Sequence, residues 1–249
     1  MSNAYKILVT SQKGGVGKST LSANLAAYLA IQANQKVSLI DFDKQSSASR
    51  WASKAPDIGI DIHQAALDYK NSGLTLLDAR AMLRSYSLNS DICIADLTWT
   101  HAIPYEFLLD FDIILVPSST AKFEMASTEI FILEYAQLYL SRFSNNKQLI
   151  LVAPNKVNHN FTPANAFTNL EFLNNCLITP PIFTAPDIDQ YVYHDFLFLS
   201  KDETVADNFS RFGQYIYEKI TACVVDKTKT SNINKYTGLT GKKLSILDD

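Results

Sequence analysis

One stretch near the start of the chain restricts its folding more than any other, because an apolar run, a glycine-rich loop and a helical pattern follow one another there. The run Tyr5–Thr10 is typical of a buried strand, and Lys13-Gly14-Gly15-Val16-Gly17-Lys18-Ser19-Thr20 leads into an apolar helical pattern. Glycines let the backbone turn its N–H groups inward around an anion, and the start of a helix adds the positive end of its dipole. This order predicts a loop that binds phosphate groups.

Two side chains at the end of this loop suit a nucleotide. Lys18 is expected to reach the β- and γ-phosphates, and the Ser19 hydroxyl is expected to hold Mg²⁺. The general pattern G-x-x-x-x-G-K-[ST] requires glycine at position 12, where this chain has Gln12 followed by a second lysine, Lys13. A glycine-rich turn with exposed lysines is the alternative. It is disfavoured because strand, glycines, lysine, hydroxyl and helix all occur in the required order.

The loop resembles that of one family. The segment from Ser11 to Thr20 matches the deviant phosphate loop K-G-G-x-G-K-[ST] of the ParA/MinD family of ATPases residue for residue. The resemblance implies binding of ATP and Mg²⁺. It implies that the nucleotide is contacted by Gly14, Gly15, Val16, Gly17, Lys18, Ser19 and Thr20. It also implies that Lys13, predicted as catalytic with Lys18, crosses a dimer interface to the nucleotide of the partner subunit.

Apolar runs alternate with helical patterns over most of the chain. The runs barely alternate in polarity, as in parallel strands that helices cover on both faces. Strands are predicted at Tyr5–Thr10, Lys36–Asp41, Asp91–Asp96, Asp110–Val116 and Gln148–Ala153, with shorter ones near 58–63 and 178–183. Helices are predicted at 18–33, 75–86, 122–142, 163–175 and 202–224. The predicted fold class is α/β, a doubly wound P-loop NTPase with a mostly parallel sheet of about seven strands and helices on both faces.

Composition bounds the class of protein. With 249 residues, 47% hydrophobic and 19% charged, the chain suits one globular ATPase domain, predicted over residues 1–222. Residues 223–249 are polar and lysine-rich, which predicts a tail that is loose or docks on a partner. No apolar run is long enough to span a bilayer, so a cytoplasmic protein is expected. Cys93, Cys176 and Cys223 are odd in number and widely spaced, which argues against disulfides or a metal knuckle.

Carboxylates stand where two predicted strands end, and in an open parallel sheet the ligand binds at that edge. The segment Asp41-Phe42-Asp43-Lys44-Gln45 is similar to the family's D-x-D-x-Q switch segment, which implies that Asp43 positions the attacking water and that Gln45 lies near the γ-phosphate. Asp96 fits the acidic residue that holds Mg²⁺ opposite Ser19. The predicted metal residues are therefore Ser19, Asp43 and Asp96. Capping of a strand-to-helix loop remains the alternative for Asp43.

The segment after Asp96 departs from the family. Relatives usually continue with a proline-containing segment, whereas this chain has Leu97-Thr98-Trp99-Thr100-His101. The detailed behaviour of this switch loop therefore does not follow from the resemblance. His101 could act as a base, although a loop histidine is more often a surface or hydrogen-bonding residue.

Later loops are expected to contact the base. Asn155 follows a predicted strand, and its amide offers the donor and acceptor that an adenine edge needs. Relatives carry an asparagine at this kind of position. The loop from Thr184 to Asp189 resembles the family's loop that closes over the base, so Pro186 and Asp187 are further predicted contacts.

The family resemblance favours a ParA-like partition ATPase of the short form, without a helix-turn-helix before the first strand. Such proteins bind DNA non-specifically as ATP-bound homodimers on the nucleoid, and a ParB-like or adaptor protein stimulates their slow hydrolysis. The net charge of −3 means that DNA contact needs a local patch. Candidates are Lys201, Arg211, Lys219, Lys227, Lys229, Lys235, Lys242 and Lys243. A solvated charged surface is the alternative for each.

Other classes remain open. A MinD-like membrane regulator should end in a basic amphipathic helix, whereas Gly238–Asp249 contains two glycines and ends in two aspartates, so no stable membrane anchor is expected. A nitrogenase-reductase-like protein needs paired cysteines, and Cys93 has no neighbour of its kind. An amidoligase would not need Lys13 to cross a dimer. A cargo-positioning scaffold that binds ATP without turnover is also left open.

Overall fold

The computed structural model describes residues 4–69, 71–142, 148–161, 171–185 and 187–240. The strands are β1 (Tyr5–Ser11), β2 (Val37–Asp41), β3 (Asp61–Gln64), β4 (Ile92–Thr98), β5 (Ile113–Ser118), β6 (Leu149–Val157), β7 (Leu177–Ile178) and β8 (Ile182–Phe183). The helices are α1 (Lys18–Ile31), α2 (Ser47–Lys54), α3 (Ser72–Tyr86), α4 (Lys122–Arg142) and α5 (Glu203–Thr240). Short 3₁₀ turns lie at Tyr105–Asp110, Glu171–Asn175, Ile188–Gln190 and Leu197–Leu199.

All strand pairs in the described part of the chain are parallel. The order across the sheet is β3-β2-β4-β1-β5-β6-β7, and β8 also pairs with β6. Strand β1 lies between β4 and β5, so the chain first winds to one side of β1 and later to the other. This is the predicted doubly wound parallel sheet. The register pairs Asp41 with Asp96 and Ser11 with Thr98, which places these strand ends at one edge of the sheet.

Two apolar layers cover the sheet, because successive side chains of a strand point to opposite faces. In β1, Ile7 and Val9 belong to one layer and Leu8 belongs to the other. The first layer contains residues of α1, α2 and α5, and the second contains residues of α3 and α4. Nearly all residues of β1, β2, β4 and β5 are buried between these layers, which explains why these strands are apolar on both faces.

Several elements differ from the predictions. Helix α2, which the sequence analysis did not predict, follows the switch segment. The strand predicted near 178–183 is divided into β7 and β8, because the intervening Pro180 and Pro181 have no N–H groups for a ladder. The strand predicted near 58–63 begins at Asp61. Of the helix predicted at 163–175, residues 163–170 lie outside the described residues, and Glu171–Asn175 is a 3₁₀ turn.

Helix α5 is longer than the predicted helix, since its backbone continues to Thr240. The helix therefore crosses the proposed boundary at residue 222 without a break. The division into an ATPase domain and a polar tail stays a prediction.

Candidate nucleotide site

The phosphate loop follows β1 and leads into α1, and two of its glycines have backbone conformations that other residues rarely adopt. Gly15 has φ +80° and Gly17 has φ +91°. A Cβ atom on Gly17 would lie 2.3 Å from Nδ2 of Asn155, so position 17 requires glycine for space as well as for conformation. Gly17 is the N-cap of α1, and no side chain of the described residues caps this end of the helix. The positive end of α1 is therefore presented by backbone, as in loops that bind phosphate.

Lys18 and Asp43 lie close together beside this loop. Lys18 is buried, with 7% of its surface exposed, and its Nζ lies 3.6 Å from Oδ2 of Asp43. Asp43 also accepts hydrogen bonds from Thr98, at 2.9 Å from the backbone N–H and at 2.6 Å from the hydroxyl. The fold thus brings the predicted water-positioning carboxylate to the predicted phosphate-binding lysine.

Ser19 and Asp96 form the predicted metal-binding pair. The Ser19 hydroxyl donates to Oδ2 of Asp96 at 2.7 Å, and the Ser22 hydroxyl lies 3.1 Å from Oδ1. Asp96 is fully buried, and this burial raises the pKa of its carboxyl to about 7, although nearby Lys18 acts in the opposite direction. A hydroxyl and a carboxylate are the oxygen ligands that Mg²⁺ prefers, and it commonly binds through one or two protein groups plus phosphate oxygens. The residues present therefore fit this ion.

Asp41 supports the site, although the sequence analysis gave it no separate role. It is fully buried and accepts hydrogen bonds from the backbone N–H groups of Asp43, at 3.1 Å, and of Ser49, at 2.9 Å. Burial raises the pKa of the Asp41 carboxyl, and these two backbone donors oppose the rise. Asp41 thereby connects the end of β2 to Asp43 and to the first turn of α2. The first aspartate of the D-x-D-x-Q pattern was the signal for it.

Two adjoining cavities open beside the phosphate loop. One, of about 590 Å³, is lined mostly by polar and charged residues, including Lys18, Ser19, Asp43, Gln45, Tyr69, Thr98 and Thr100. The other, of about 470 Å³, is mostly apolar, and its walls include Leu21, Ile182, Phe183, Ala185, Val205 and Phe209. Gly17, Thr20 and Lys156 line both cavities. A polar space for phosphates beside an apolar space for a base matches the shape and chemistry of a nucleotide.

The end of β6 contacts the phosphate loop through two consecutive residues. Nδ2 of Asn155 donates to the carbonyl of Val16 at 2.7 Å, and Nζ of Lys156 donates to the carbonyl of Gly15 at 2.6 Å. Oδ1 of Asn155 accepts from the N–H of Lys156 at 3.0 Å. Asn155 therefore lies in the wall of the apolar cavity with its amide engaged by the loop, and its contact with adenine stays a prediction.

Lys156 is a site residue that the sequence analysis missed. Its φ of +55° is uncommon for a residue other than glycine, asparagine or aspartate. Its position directly after Asn155 was the available signal. Its ammonium group adds a further positive charge at the junction of the two cavities.

The remaining predicted site residues are distributed around the cavities. Pro186 lies outside the described residues. Asp187 is exposed and precedes the 3₁₀ turn Ile188–Gln190, whose Ile188 lines the apolar cavity. His101 is exposed. Lys13 is exposed, and among the residues that the structure describes its ammonium group has no hydrogen-bond or ion-pair partner.

Comparison with protein families agrees with this geometry. The family model of the CobQ/CobB/MinD/ParA nucleotide binding domain matches residues 7–192. The chain belongs to this family. The match begins within β1 and ends between the turns Ile188–Gln190 and Leu197–Leu199, so both cavities lie largely within this nucleotide-binding domain.

Individual relatives of the family match different shares of the chain. The maintenance of carboxysome distribution protein A of Gloeobacter kilaueensis is 48% identical over 59 residues, which is 23% of this chain and about a quarter (26%) of that relative. The structure of an McdA variant from Cyanothece in complex with ATP matches 88% of this chain and 96% of the McdA chain. The two sequences are 18% identical, and the TM-score is 0.69. A second match is the structure of BB_S35 of Borrelia burgdorferi B31, a candidate plasmid partition protein bound to AMPPNP. The match covers 87% of this chain and 100% of BB_S35 at 19% identity, with a TM-score of 0.63.

These structural likenesses show the shared fold. Within the described residues, no helix is both long enough and apolar enough to cross a membrane.

Proposed function

We propose that this protein is a Mg²⁺-dependent ATPase that dimerises when ATP is bound, hydrolyses ATP slowly and uses the cycle to distribute a cargo, with DNA as the first candidate. One observation carries the proposal. Two carboxylates from the ends of neighbouring strands lie against the phosphate loop. Oδ2 of Asp43 lies 3.6 Å from Nζ of Lys18, and Oδ2 of Asp96 lies 2.7 Å from the Ser19 hydroxyl. Two carboxylates, a buried lysine and a hydroxyl at a loop of this shape are the groups that hydrolysis of a nucleoside triphosphate needs.

Transfer of a phosphoryl group to water depends on positioning and charge neutralisation more than on covalent chemistry. Lys18 neutralises phosphate oxygens from within the loop. Ser19 and Asp96, with Asp43 beside them, are the residues that would hold Mg²⁺, which supplies further positive charge to the phosphates when bound. Asp43 accepts a hydrogen bond from the attacking water and so orients it toward the terminal phosphoryl group.

Lys13 makes the site depend on a second subunit. Its ammonium group is exposed and has no partner among the described residues of its own chain. We expect it to reach the nucleotide of the facing subunit, as the family resemblance implies, and to add positive charge only in the closed dimer. ATP, with its additional phosphate, then favours the dimer more than ADP does.

The test compares oligomeric state and turnover in three proteins: the wild type, Lys13→Ala and the control Lys36→Ala. Lys36 is exposed and lies before β2, at the edge of the sheet opposite the site. Light scattering should show a wild-type dimer with ATP and Mg²⁺ and a monomer with ADP. The Lys13→Ala variant should remain monomeric and hydrolyse at least about 10-fold more slowly, while Lys36→Ala behaves as the wild type. A Lys13→Ala protein that dimerises and hydrolyses at the wild-type rate would contradict the proposal.

The cargo is tested separately. A MinD-like membrane regulator is the competing function, and the likeness to a carboxysome distribution protein favours a protein assembly as an alternative cargo. ATPase rates are measured for the protein alone, with random-sequence duplex DNA and with anionic vesicles. These rates distinguish DNA partition from membrane regulation. We expect stimulation by DNA and none by vesicles. Stimulation by vesicles alone would replace partition with membrane-based positioning.

A further inference from the structure

The segment after Asp96 differs from the family pattern, and its first hydroxyl contacts the site directly. Strand β4 continues two residues beyond Asp96 to Thr98, which pairs with Ser11 at the end of β1. The N–H of Trp99 donates to the carbonyl of Ser11 at 3.0 Å and extends this pairing by one further bond. Thr98 therefore has a backbone position set by the central strand of the sheet, and it lines the cavity of about 590 Å³ beside the phosphate loop.

Thr98 binds both oxygens of the Asp43 carboxylate. Its N–H donates to Oδ1 at 2.9 Å, and its hydroxyl donates to Oδ2 at 2.6 Å. Two donors from one residue define the plane of the carboxylate as well as its position, as other bidentate pairs do. Strand pairing fixes the backbone of Thr98. The two bonds from Thr98 therefore fix the orientation of the Asp43 carboxylate relative to the central strands of the sheet.

The contact between Asp43 and Lys18 is of a different kind. Nζ of Lys18 lies 3.6 Å from Oδ2 of Asp43, which is longer than a hydrogen bond. Lys18 is also the residue expected to bind the phosphates, so its charge is shared with the ligand once a nucleotide is bound. The two bonds from Thr98 do not compete with a phosphate in this way.

The arrangement leaves Asp43 able to accept from water. Each carboxylate oxygen has two lone pairs, and Thr98 uses one on each. Asp43 retains 20% exposure of its side chain and lines the same cavity as Thr98. Protein donors thus hold the orientation of the carboxylate. Its remaining lone pairs can accept hydrogen bonds within the cavity, where the terminal phosphoryl group and water would lie.

We propose that Thr98 is a positioning residue for ATP hydrolysis, in which its amide and hydroxyl orient the Asp43 carboxylate toward the attacking water. This inference rests on the proposed function. It also gives the departure from the family pattern a chemical role, because the threonine hydroxyl at this position supplies the second of two donors to Asp43.

The experiment is a double-mutant cycle on the full chain with wild type, Thr98→Val, Asp43→Asn and the combined variant, together with Thr98→Ser. Valine has nearly the shape of threonine without the hydroxyl, and serine keeps the hydroxyl. Turnover is measured under the conditions that give the wild type its highest rate. Affinity for ATP is measured by titration of a fluorescent analogue, and folding by thermal unfolding.

We expect Thr98→Val to lower kcat by about 10-fold to 100-fold, because a mispositioned carboxylate loses most of its effect on the reacting water. Affinity for the nucleotide should stay within about twofold, because Thr98 acts only after binding. Thr98→Ser should restore turnover to within about threefold of the wild type. Asp43→Asn should lower kcat by at least about 100-fold, and adding Thr98→Val to it should have no further effect, because Thr98 acts through Asp43.

Each other outcome overturns the inference. A Thr98→Val protein with wild-type turnover shows that the hydroxyl is not needed, while a slow Asp43→Asn protein in the same experiment leaves the proposed function intact. A Thr98→Ser protein as slow as Thr98→Val, or an equal loss from Thr98→Val with and without Asp43, shows a structural effect that does not pass through the carboxylate. A wild type that binds ATP without hydrolysing it overturns the proposed function itself and this inference with it.

Discussion

At the scale of the single residue, Asp96 shows how a predicted site residue can lower the stability of the fold. Its carboxyl is fully buried, and burial raises its pKa from 3.8 to about 7. The folded chain therefore binds this proton more tightly than the unfolded chain, so protonation stabilises the fold at low pH. That stabilisation is lost as the pH rises from about 4 through about 7. In the metal-free protein, the ionised Asp96 carboxylate therefore lowers the free energy of unfolding, and a bound cation would offset this loss.

Asp96→Asn should therefore raise the Tm of the metal-free protein at pH 8 by about 2–4 °C, for a gain of the order of 1 kcal/mol, and raise it less at pH 5. The measurement is thermal unfolding in EDTA at both pH values, with the exposed Asp57→Asn as a control that should change little at either. The same Asp96→Asn protein should bind Mg²⁺ and ATP more weakly. A variant that is no more stable than the wild type at pH 8 would contradict this account.

Gly17 is constrained by conformation and by contact at once. We expect Gly17→Ala to lower the Tm by several degrees, because its φ of +91° costs a non-glycine residue about 1–2 kcal/mol and the new Cβ would meet Asn155. Gly14→Ala is the matched control, since a Cβ there would meet nothing within 4 Å among the described residues. Thermal unfolding of the two variants without nucleotide separates these cases. Equal Tm values for both would refute the explanation.

At the scale of the element, the end of β6 supports the phosphate loop. Asn155→Ala removes a buried hydrogen bond to the carbonyl of Val16, which we expect to cost about 1–3 kcal/mol and to loosen the loop locally. Hydrogen exchange should become at least about 10-fold faster at residues 13–17 and stay unchanged in β1. The exposed Asn158→Ala, three residues further on, is the control. Uniform acceleration across the domain would indicate global destabilisation instead.

Helices α1 and α5 meet at Gly213, where a Cβ would lie 2.5 Å from the Tyr28 ring. Replacing a helical glycine by alanine ordinarily stabilises a protein, because glycine costs a helix about 1 kcal/mol. Here the sign should reverse, and Gly213→Ala should lower the Tm by about 2–8 °C through overpacking of about 1–3 kcal/mol.

The control for this contact is Gly73→Ala in α3, where the nearest atom to a new Cβ is 3.5 Å away. Thermal unfolding should show no loss in that variant. Adding Tyr28→Ala to Gly213→Ala should remove most of the penalty for the new methyl group, because the clashing ring is gone. A penalty that persists in the double variant would assign the effect to something other than helix packing.

At the scale of the whole molecule, charge determines how DNA could be bound. The net charge is −3, and the described part of α5 combines the exposed Arg211 with Lys219, which lies 4.8 Å above the Tyr215 ring. Acidic residues stand among them, namely Glu203, Asp207 and Glu218. Such a mixed surface favours weak binding by one subunit, so we expect appreciable affinity only in the ATP dimer, where two surfaces act together.

The affinity of that dimer for random-sequence duplex DNA should fall steeply with salt, with a logarithmic slope of about −0.9 per neutralised phosphate. Fluorescence anisotropy at several salt concentrations, with ATP and with ADP, measures it. Arg211→Ala should make the slope shallower, while Arg84→Ala, on α3 at the other face of the sheet, should not. Affinity that depends on neither ATP nor salt would contradict the partition function.

The features that could be predicted are those that depend on residues close together in the sequence or on the general geometry of a parallel sheet. Five strands and the main helices could be predicted, because apolar runs and helical spacing are properties of consecutive residues. Lys18 and Ser19 were predicted as site residues from a contiguous motif. Asp43 and Asp96 were predicted to lie near them because the ends of parallel strands share one edge of the sheet, and the structure places them there. Helix α2 escaped prediction because it is short and its apolar pattern is brief.

The sequence by itself therefore determined the class of fold, and it predicted the phosphate loop and its principal side chains. Only the tertiary structure decided which groups touch: Thr98 with Asp43, Asn155 with the carbonyl of Val16, and Lys156 with that of Gly15. These contacts join segments far apart in the chain, and they depend on strand order and register. No local pattern encodes that register, because it arises only when the strands pair and the helices pack on both faces of the sheet.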